Sequence, residues 1–184
     1  MRVIAGIRKG QSLLAPPGRD LRPTSDRVRT VLFDILGEFV ENSRVLDLFA
    51  GAGTLGIEAL SRGAQTVVFL ESQRQHAHLI EENLRRTHLE HHGRVILADA
   101  FVFLAQAQRT AAPYQLILAD PPYQFEQMIK LCELIEHPAV LSENGMFVCE
   151  TAARSATFRS GNVLEIVKER IIGDTKLQFY QRKI

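Results

Sequence analysis

Short apolar segments alternate with amphipathic segments from Arg44 onward, and this alternation predicts strands and helices in turn. Five apolar stretches that each lead into a polar or glycine-bearing turn are predicted to be strands, at 45–49, 66–70, 94–98, 115–119 and 146–149. The helices between them are predicted to begin near Thr54, Ser72, Ala100 and Gln124. Strands that alternate with helices over short loops are typical of an α/β fold, in which helices cover both faces of a mostly parallel sheet.

The C-terminal part of the chain has a different pattern. Two β-rich stretches, at 163–171 and 176–182, are separated by Gly173-Asp174 and have no helix between them. This arrangement predicts an antiparallel hairpin at one edge of the sheet, which then has seven strands.

The predicted helix near Gln124 carries one apolar stripe, formed by Phe125, Met128, Ile129, Cys132 and Ile135. A stripe at this spacing is expected to pack on the core. The two cysteines of the chain, Cys132 and Cys149, form no Cys-x-x-Cys unit, and we expect both to be reduced core thiols rather than a disulfide or zinc ligands.

The N-terminal segment is basic. Residues 1–30 carry seven Lys and Arg side chains against two Asp, although the net charge of the whole chain is only +1. Apolar stretches on both sides of Arg8-Lys9-Gly10 predict a β-hairpin extension at 1–21, and Thr24 or Ser25 can cap a helix at 24–37. A basic segment in front of a mildly acidic body suits a polyanionic partner, although a solvated tail would have the same composition.

Composition excludes several classes of protein. Hydrophobic residues make up 46% of the 184 residues and charged residues 23%, the balance of a soluble globular protein. The longest apolar run, from Ala100 to Ala105, is far shorter than the roughly 20 residues of a membrane helix. Because the first residues contain no sustained apolar segment, we expect no secretory signal and a cytoplasmic location.

Polar signals follow the predicted strands, at the sheet edge where open α/β sheets bind ligands. The first strand contains Asp47 and leads into Gly51-Ala52-Gly53-Thr54-Leu55-Gly56, a glycine turn that opens a helix. Glu71 follows the next strand, where an acid can accept hydrogen bonds from ribose hydroxyls. Both features also fit a nicotinamide dinucleotide. Asp47 favours a cationic cofactor instead, because a carboxylate beside the glycine turn would repel a pyrophosphate; its alternative role is a capping or turn carboxylate.

Two further signals follow the third and fourth strands. Asp99-Ala100 can accept a hydrogen bond from an adenine amine, or can simply cap a helix. Asp120-Pro121-Pro122-Tyr123 follows the fourth strand, and its two prolines remove backbone donors, leaving acceptors that can hold an exocyclic amine. Tyr123 offers a flat face on which an extruded base can stack.

Together these motifs resemble the Rossmann-like S-adenosylmethionine-dependent methyltransferases that act on exocyclic amines. The segments 2–6, 22–29 and 55–64 narrow the resemblance to the RsmD family, bacterial methyltransferases of a guanine N2 in small-subunit ribosomal RNA. The resemblance covers nearly the whole chain. It implies a single methyltransferase domain at 1–184 with a Rossmann-like core at 44–184.

The resemblance also implies roles for individual residues and partners. Asp47, Gly51 and Gly53 would hold the methionine end of S-adenosylmethionine, Glu71 its ribose, and Asp99 with Ala100 its adenine. Asp120, Pro121 and Tyr123 would hold the guanine, and Asp120 would accept the proton that leaves N2. From the basic segment we expect RNA contacts by Arg2, Arg8, Lys9, Arg22 and Arg27. The expected partner is ribosomal RNA or the small ribosomal subunit, with no membrane, no metal and a monomeric state.

Two alternative functions remain open on the sequence. An Asp-Pro-Pro-Tyr loop recognises an amine rather than a polymer, so the substrate could be DNA or a protein amine. A nucleotide-cofactor oxidoreductase is disfavoured by Asp47. The absence of a Pro-Cys pair argues against methylation of a pyrimidine ring carbon, which needs a thiolate nucleophile.

Overall fold

The computed structural model describes residues 1–16, 25–110, 112–122, 125–158 and 163–182. Its helices are α1 (Asp26–Leu36), α2 (Thr54–Ser61), α3 (Arg74–Arg86), α4 (Ala100–Thr110) and α5 (Met128–Ile135), and short 3-10 helices lie at Gly6–Arg8 and Gly37–Val40. The strands are β1 (Arg44–Leu48), β2 (Thr66–Glu71), β3 (Gly93–Leu97), β4 (Tyr114–Ala119), β5 (Leu141–Ala152), β6 (Leu164–Ile172) and β7 (Thr175–Arg182).

The seven strands form one sheet in the order β3-β2-β1-β4-β5-β7-β6. Strands β1 to β5 are parallel to one another, whereas β7 pairs antiparallel with both β5 and β6. The predicted fold class, a mostly parallel α/β sheet with an antiparallel C-terminal hairpin, is confirmed. The strand order reverses between β1 and β4, and ligands of such sheets bind beyond the carboxyl ends of the strands at that point.

Alternate residues of the parallel strands enter two separate cores. In β1, for example, Val45 belongs to a core shared with α1, α2 and α3, and Leu46 belongs to a core shared with α4 and α5. Burial on both faces explains why these strands are continuous apolar runs in the sequence rather than alternating ones. Cys132 and Cys149 are buried free thiols in the second core, as predicted.

Some predicted element boundaries and one core position are wrong. Helix α3 begins at Arg74 rather than near Ser72, and α5 begins at Met128, whereas Gln124 lies outside the described residues. Ile129 was expected in the core but is 60% exposed, because the face of α5 that packs inward carries Leu131, Cys132 and Ile135.

Strand β5 is longer than the sequence pattern indicates. It begins at Leu141, five residues before the predicted start, and the polar stretch 142–145 hides this extension from a search for apolar runs. Its register with β4 shifts between Tyr114 and Leu116, which is how an irregular polar stretch is accommodated in the ladder.

The N-terminal segment folds back on itself and docks on the helices. Arg2 and Ser12 form an antiparallel bridge, and the predicted turn contains a 3-10 helix, so regular pairing is limited to that bridge and its flanking hydrogen bonds. The fully buried Glu58 accepts hydrogen bonds from the N–H groups of Ile4 (2.7 Å) and Ala5 (3.0 Å). Buried side chains of the core therefore hold this segment in place.

The start of α1 agrees with one of the two predicted caps. The Ser25 side chain accepts a hydrogen bond from the Val28 N–H at 3.2 Å, which satisfies one of the free donors of the first turn. Thr24, the other predicted cap, lies outside the described residues.

Candidate active site

A cavity of about 1130 Å³ opens along the carboxyl ends of the strands. One end is lined by Gly51, Glu71 and Asp99, which follow or terminate β1, β2 and β3. Asp120, after β4, lies on the wall as well, and the cavity continues to Glu150 in β5 and to the turn between β6 and β7. The volume is slightly above the range of about 300 to 1,000 Å³ that is usual for small-molecule sites, so the cavity has room for more than one small ligand.

The loop after β1 is tightly folded. Gly51 (φ +57°) and Gly53 (φ +77°) adopt left-handed conformations, and a Cβ on Gly53 would approach Ile80 to 3.1 Å. Phe49 also has a positive φ, of 59°, an uncommon conformation for a bulky side chain. Backbone strain of this kind is concentrated at ligand-binding loops, and both Phe49 and Gly51 line the cavity.

Asp47 lies beneath this loop and is 1% exposed. Its Oδ2 accepts a hydrogen bond from the N–H of Gly56, in the first turn of α2, at 2.9 Å. Burial raises the pKa of Asp47 to about 8, and the charges of Asp120 and Glu71 add to the increase, while the Gly56 hydrogen bond opposes it. The structure therefore places Asp47 behind the glycine loop, where it connects the loop to α2. The protonation of Asp47 depends on the neighbouring charges of Asp120 and Glu71.

Glu71 joins the ends of β1 and β2. Its Oε2 accepts a hydrogen bond from the Gly51 N–H at 2.9 Å, and its Oε1 accepts one from the Gln73 N–H at 2.8 Å. His76 lies nearby, with Nδ1 at 3.9 Å from Oε1. Glu71 is thus preoriented by backbone donors on the cavity wall, and it brings negative charge directly to the glycine loop.

Asp99 is the N-cap of α4. Its Oδ1 accepts hydrogen bonds from the N–H groups of Phe101 (2.9 Å) and Val102 (3.1 Å), which is the capping role considered from the sequence. The residue is also exposed and lines the cavity together with Ala100. Capping fixes the carboxylate in position and leaves Oδ2 available to a ligand.

Asp120 and Pro121 follow β4 beside the loop of β1. Leu48 pairs with Ala119 across the two strands, so Phe49 and Asp120 are neighbours at the sheet edge. Pro121 is buried and Pro122 exposed, and both line the cavity. Tyr123 lies outside the described residues.

Two members of an aromatic cluster, Phe49 and Phe125, line the cavity, and the sequence interpretation does not identify this cluster. The Phe125 ring lies between Phe49, at 5.4 Å in an edge-to-face arrangement, and Phe101, at 6.1 Å and nearly parallel. The apolar pattern of the sequence assigns Phe125 only to a core stripe. Its distance of two residues from the Asp-Pro-Pro-Tyr motif was the available signal, because residues that follow a strand end belong to the ligand-binding edge.

His76 and Glu150 are two more cavity-lining residues that the sequence interpretation did not single out. His76 lies in the first turn of α3, and only the fold brings it near Glu71. Glu150 belongs to the last part of β5, and its placement beside Asp120 depends on the register between β4 and β5. Only a correct strand alignment could have identified it.

The predicted RNA-binding residues that the structure describes have different neighbours. Arg27 lines the cavity, and the exposed Arg2 lies 3.4 Å from Asp26 at the start of α1. Arg8 Nη2 donates to the His88 carbonyl oxygen at 3.2 Å, beyond the end of α3, and Lys9 is exposed next to it. Arg22 lies outside the described residues.

Within the described ranges, no group of three His, Cys, Asp or Glu side chains is arranged to hold a metal ion. Likewise, none of the helices in that part of the chain is long and apolar enough to cross a membrane.

Known proteins resemble this chain over its full length. The model of a family described as conserved hypothetical protein 95 matches residues 1–181. The chain is 34% identical to a putative rRNA methyltransferase, YlbH, of Bacillus subtilis over 183 residues, covering 100% of both proteins. It is 31% identical over 183 residues to the ribosomal RNA small subunit methyltransferase D of Escherichia coli strain K12, covering 100% of this chain and 90% of that protein.

Solved structures agree with the fold. The structure of a putative methyltransferase, yhhF, from Escherichia coli superposes with a TM-score of 0.88 at 31% identity, covering 100% of this chain and 98% of that one. An RNA methyltransferase from Salinibacter ruber in complex with S-adenosylhomocysteine has a TM-score of 0.65 at 15% identity, covering 86% of this chain and 92% of that one. The second likeness shows the fold alone.

Proposed function

The chain belongs to the conserved hypothetical protein 95 family, the RsmD family of ribosomal RNA methyltransferases, and from this premise we propose that it transfers a methyl group from S-adenosylmethionine to the exocyclic N2 of a guanine in small-subunit ribosomal RNA. The observation that carries the proposal is the single cavity wall formed by Gly51, Glu71, Asp99 and Asp120. Four successive strand ends contribute one residue each. The named relatives support the substrate class, and the chemistry of the wall supports the reaction.

The charge of the cavity supports S-adenosylmethionine as the cofactor. Glu71 already occupies the Gly51 N–H, a donor that a dinucleotide site would direct at its pyrophosphate. A phosphate beside this carboxylate would be repelled at short range in a site of low dielectric constant. A cofactor with an ammonium and a sulfonium group fits this acidic edge, which disfavours the oxidoreductase alternative.

Individual residues would hold the parts of the cofactor. Glu71 would accept the ribose hydroxyls, and the uncommitted Oδ2 of Asp99 would accept the adenine amine. The left-handed loop at Gly51 and Gly53 would receive the methionine end, with Asp47 beneath it. When bound, the cofactor supplies an electrophilic methyl group that an amine can take by direct displacement.

Catalysis in this proposal depends on how the protein positions the amine. The N2 lone pair of guanine is delocalised into the ring, so holding it in line with the methyl group provides much of the rate enhancement. The Asp120 carboxylate and the Pro121 carbonyl accept the two amine protons and stabilise the positive charge that develops on nitrogen. Asp120 then takes the proton that leaves, and Tyr123 stacks on the base.

The test is transfer of labelled methyl from S-adenosylmethionine to small ribosomal subunits, free small-subunit RNA and DNA, all from cells that lack this gene. We expect label in the ribosomal RNA, recovered as N2-methylguanine after digestion. Label that appears only in DNA, or in none of the three substrates, would overturn the ribosomal assignment.

Two substitutions separate the proposed roles. Asp120→Ala is expected to lower turnover by about 10²- to 10⁴-fold, the usual contribution of a positioned acid or base, with little change in the Kd for S-adenosylhomocysteine. Glu71→Ala is expected to raise that Kd at least about tenfold, because a charged hydrogen bond is lost. Glu143→Ala, which removes an exposed carboxylate of β5, serves as the control. Weak cofactor binding with normal turnover in the Asp120 variant would reject its role.

A further inference from the structure

The register between β4 and β5 places a second carboxylate beside Asp120. Leu118 pairs with Val148 and Ala119 with Cys149, so Asp120, which directly follows β4, and Glu150 of β5 are neighbours at the sheet edge. Adjacent strands lie about 4.8 Å apart, so the carboxylates of two such neighbours are close enough to reach the same edge of one base. Both residues line the cavity.

This part of the wall presents acceptors. Ionised carboxylates only accept hydrogen bonds, and Pro121 and Pro122 contribute no N–H. Asp120, the Pro121 carbonyl and Glu150 therefore form a row that suits a ligand edge made of adjacent donors.

Among the nucleobases, guanine matches such a row. Its Watson–Crick edge carries the N1–H and the N2 amine side by side, whereas adenine and cytosine place an acceptor ring nitrogen next to their amine. Enzymes that extrude a base identify it by hydrogen bonds to this edge. A carboxylate facing the ring nitrogen of adenine or cytosine would meet a lone pair and remain unsatisfied.

Several polar side chains around this part of the cavity are hydrogen-bonded to one another. Thr151 Oγ1 lies 3.4 Å from Gln178 Oε1, and Gln178 Nε2 donates to Glu169 at 3.1 Å. Thr157 Oγ1 donates to the same Glu169 oxygen at 2.8 Å. These contacts form part of the cavity wall, and Glu150 lines the same cavity from the strand next to β4.

Resting on the proposed function, we infer that Glu150 is the specificity-determining residue, which accepts the N1–H of the target guanine while Asp120 holds its N2 amine. The pair then explains the choice of base as well as the choice of atom. Asp120 recognises an amine, and Glu150 requires a donor next to it.

The test compares guanine with 2-aminopurine, which keeps the N2 amine and lacks the N1–H. Once the methylated guanine has been mapped, ligated small-subunit RNA carries either base at that position, as free RNA or reconstituted into subunits. The wild-type protein is expected to prefer guanine in kcat/KM by at least about 100-fold, because a site built for a donor leaves its acceptor unpaired without one.

Glu150→Gln is expected to invert the hydrogen-bonding requirement. Its amide can donate to the unprotonated N1 of 2-aminopurine, so kcat/KM for that RNA should rise while the value for guanine falls, and their ratio should drop at least about tenfold. A purely structural role of Glu150 would lower both values together. Glu150→Asp keeps the acceptor and should keep the preference for guanine at a lower rate.

Controls keep the outcomes distinct. The Kd for S-adenosylhomocysteine should be unchanged in Glu150→Gln, which also shows that the variant folds, and Glu143→Gln should behave as wild type. A guanine to 2-aminopurine ratio that stays constant in Glu150→Gln would overturn the inference, as would loss of the guanine preference in Glu150→Asp. If wild-type protein methylates no guanine at N2 in ribosomal RNA, the proposed function itself fails.

Discussion

At the scale of single residues, burial changes what the carboxylates of the site can do. Asp47 is enclosed in the core and has a pKa of about 8, whereas Glu71 is supported by two backbone donors and Asp99 by two more. A buried carboxylate that accepts few hydrogen bonds tends to keep its proton, because burial disfavours the charged form. Acids of similar appearance in the sequence thus have different roles in the folded protein.

Asp47→Asn is expected to change how stability depends on pH. Burial raises the pKa of Asp47 in the folded protein from its ordinary value of 3.8 to about 8. Between these pH values the folded protein keeps a proton that the unfolded chain has lost, so its stability falls as pH rises. The Asp47→Asn variant has no carboxyl group at this position and therefore lacks this pH-dependent loss of stability. Its stability relative to wild type should therefore increase with pH by at most about 1.4 kcal/mol per pH unit, and level off above about pH 8.

Urea unfolding of the cofactor-free protein between pH 5 and 9 checks this prediction. Asp174→Asn, which replaces an exposed carboxylate of the β6–β7 turn, is the control for removal of a charge. Parallel stability curves for wild type and Asp47→Asn would show that Asp47 is ionised in the folded protein throughout.

At the scale of elements, the N-terminal segment is held by polar side chains that belong to other elements. Glu58 of α2 binds the N–H groups of Ile4 and Ala5, and Asn83 of α3 pairs with both backbone groups of Leu14. The Asn83 amide also donates to the carbonyl oxygen of Ala52 at 3.0 Å, within the glycine loop. The same side chain therefore links the basic segment to the candidate cofactor site.

Two glycines of this segment give a matched pair of substitutions. Gly6 (φ +79°) and Gly10 (φ +86°) have similar left-handed backbones, but a Cβ on Gly6 would lie 1.8 Å from the Ser61 carbonyl oxygen, whereas one on Gly10 would meet nothing within 4 Å. Gly10→Ala is expected to cost about 1 to 2 kcal/mol in backbone strain. Gly6→Ala should cost about 1 to 3 kcal/mol more, because the segment must move away from α2.

Hydrogen exchange localises the effect. Gly6→Ala should remove protection at the amides of Ile4 and Ala5, and Gly10→Ala should leave it in place. Equal unfolding free energies for the two variants, with both amides still protected, would mean that the segment does not dock against Ser61 as described.

The elements themselves follow largely from local patterns. Each of the seven strands contains a predicted apolar run, and α2 begins at the predicted Thr54 after the glycine turn, because these patterns reflect burial on one or both faces. The start of β5 was missed because residues 142–145 are polar. Ile129 was misassigned because a short helix can turn a different apolar face inward.

At the scale of the whole molecule, charge is distributed unequally. The cavity edge carries the carboxylates of Glu71, Asp99, Asp120 and Glu150, which suit a cationic cofactor but repel phosphates. In the described part of the N-terminal 30 residues, Arg27 lines the cavity, and Arg8 contacts the chain beyond the end of α3. On the proposed function, such cationic side chains would attract the RNA backbone while one base enters the acidic cavity.

Neutralising Arg8 and Lys9 together, as Arg8→Gln and Lys9→Gln, is expected to weaken RNA binding and flatten its salt dependence. Each lost phosphate contact should reduce the slope of log K against log salt by about 0.7 to 0.9. Binding of small-subunit RNA between low and moderate salt measures the slope, and neutralising Lys168 and Arg170 on the exposed edge strand β6 is the control. An unchanged slope would make the Arg8–Lys9 turn a structural feature only.

The sequence by itself determined the fold class, the order of the strands and helices, and the candidate residues at the strand ends, since periodicity, turn chemistry and motif spacing are local properties of the chain. The tertiary structure decided which of those residues meet. Asp47 reaches the Gly56 amide, Glu58 holds the N-terminal segment, and Glu150 lies beside Asp120, and these contacts depend on strand register and helix packing. Hydrogen bonds and burial between distant residues leave no periodic trace in a single chain, so only the folded arrangement reveals them.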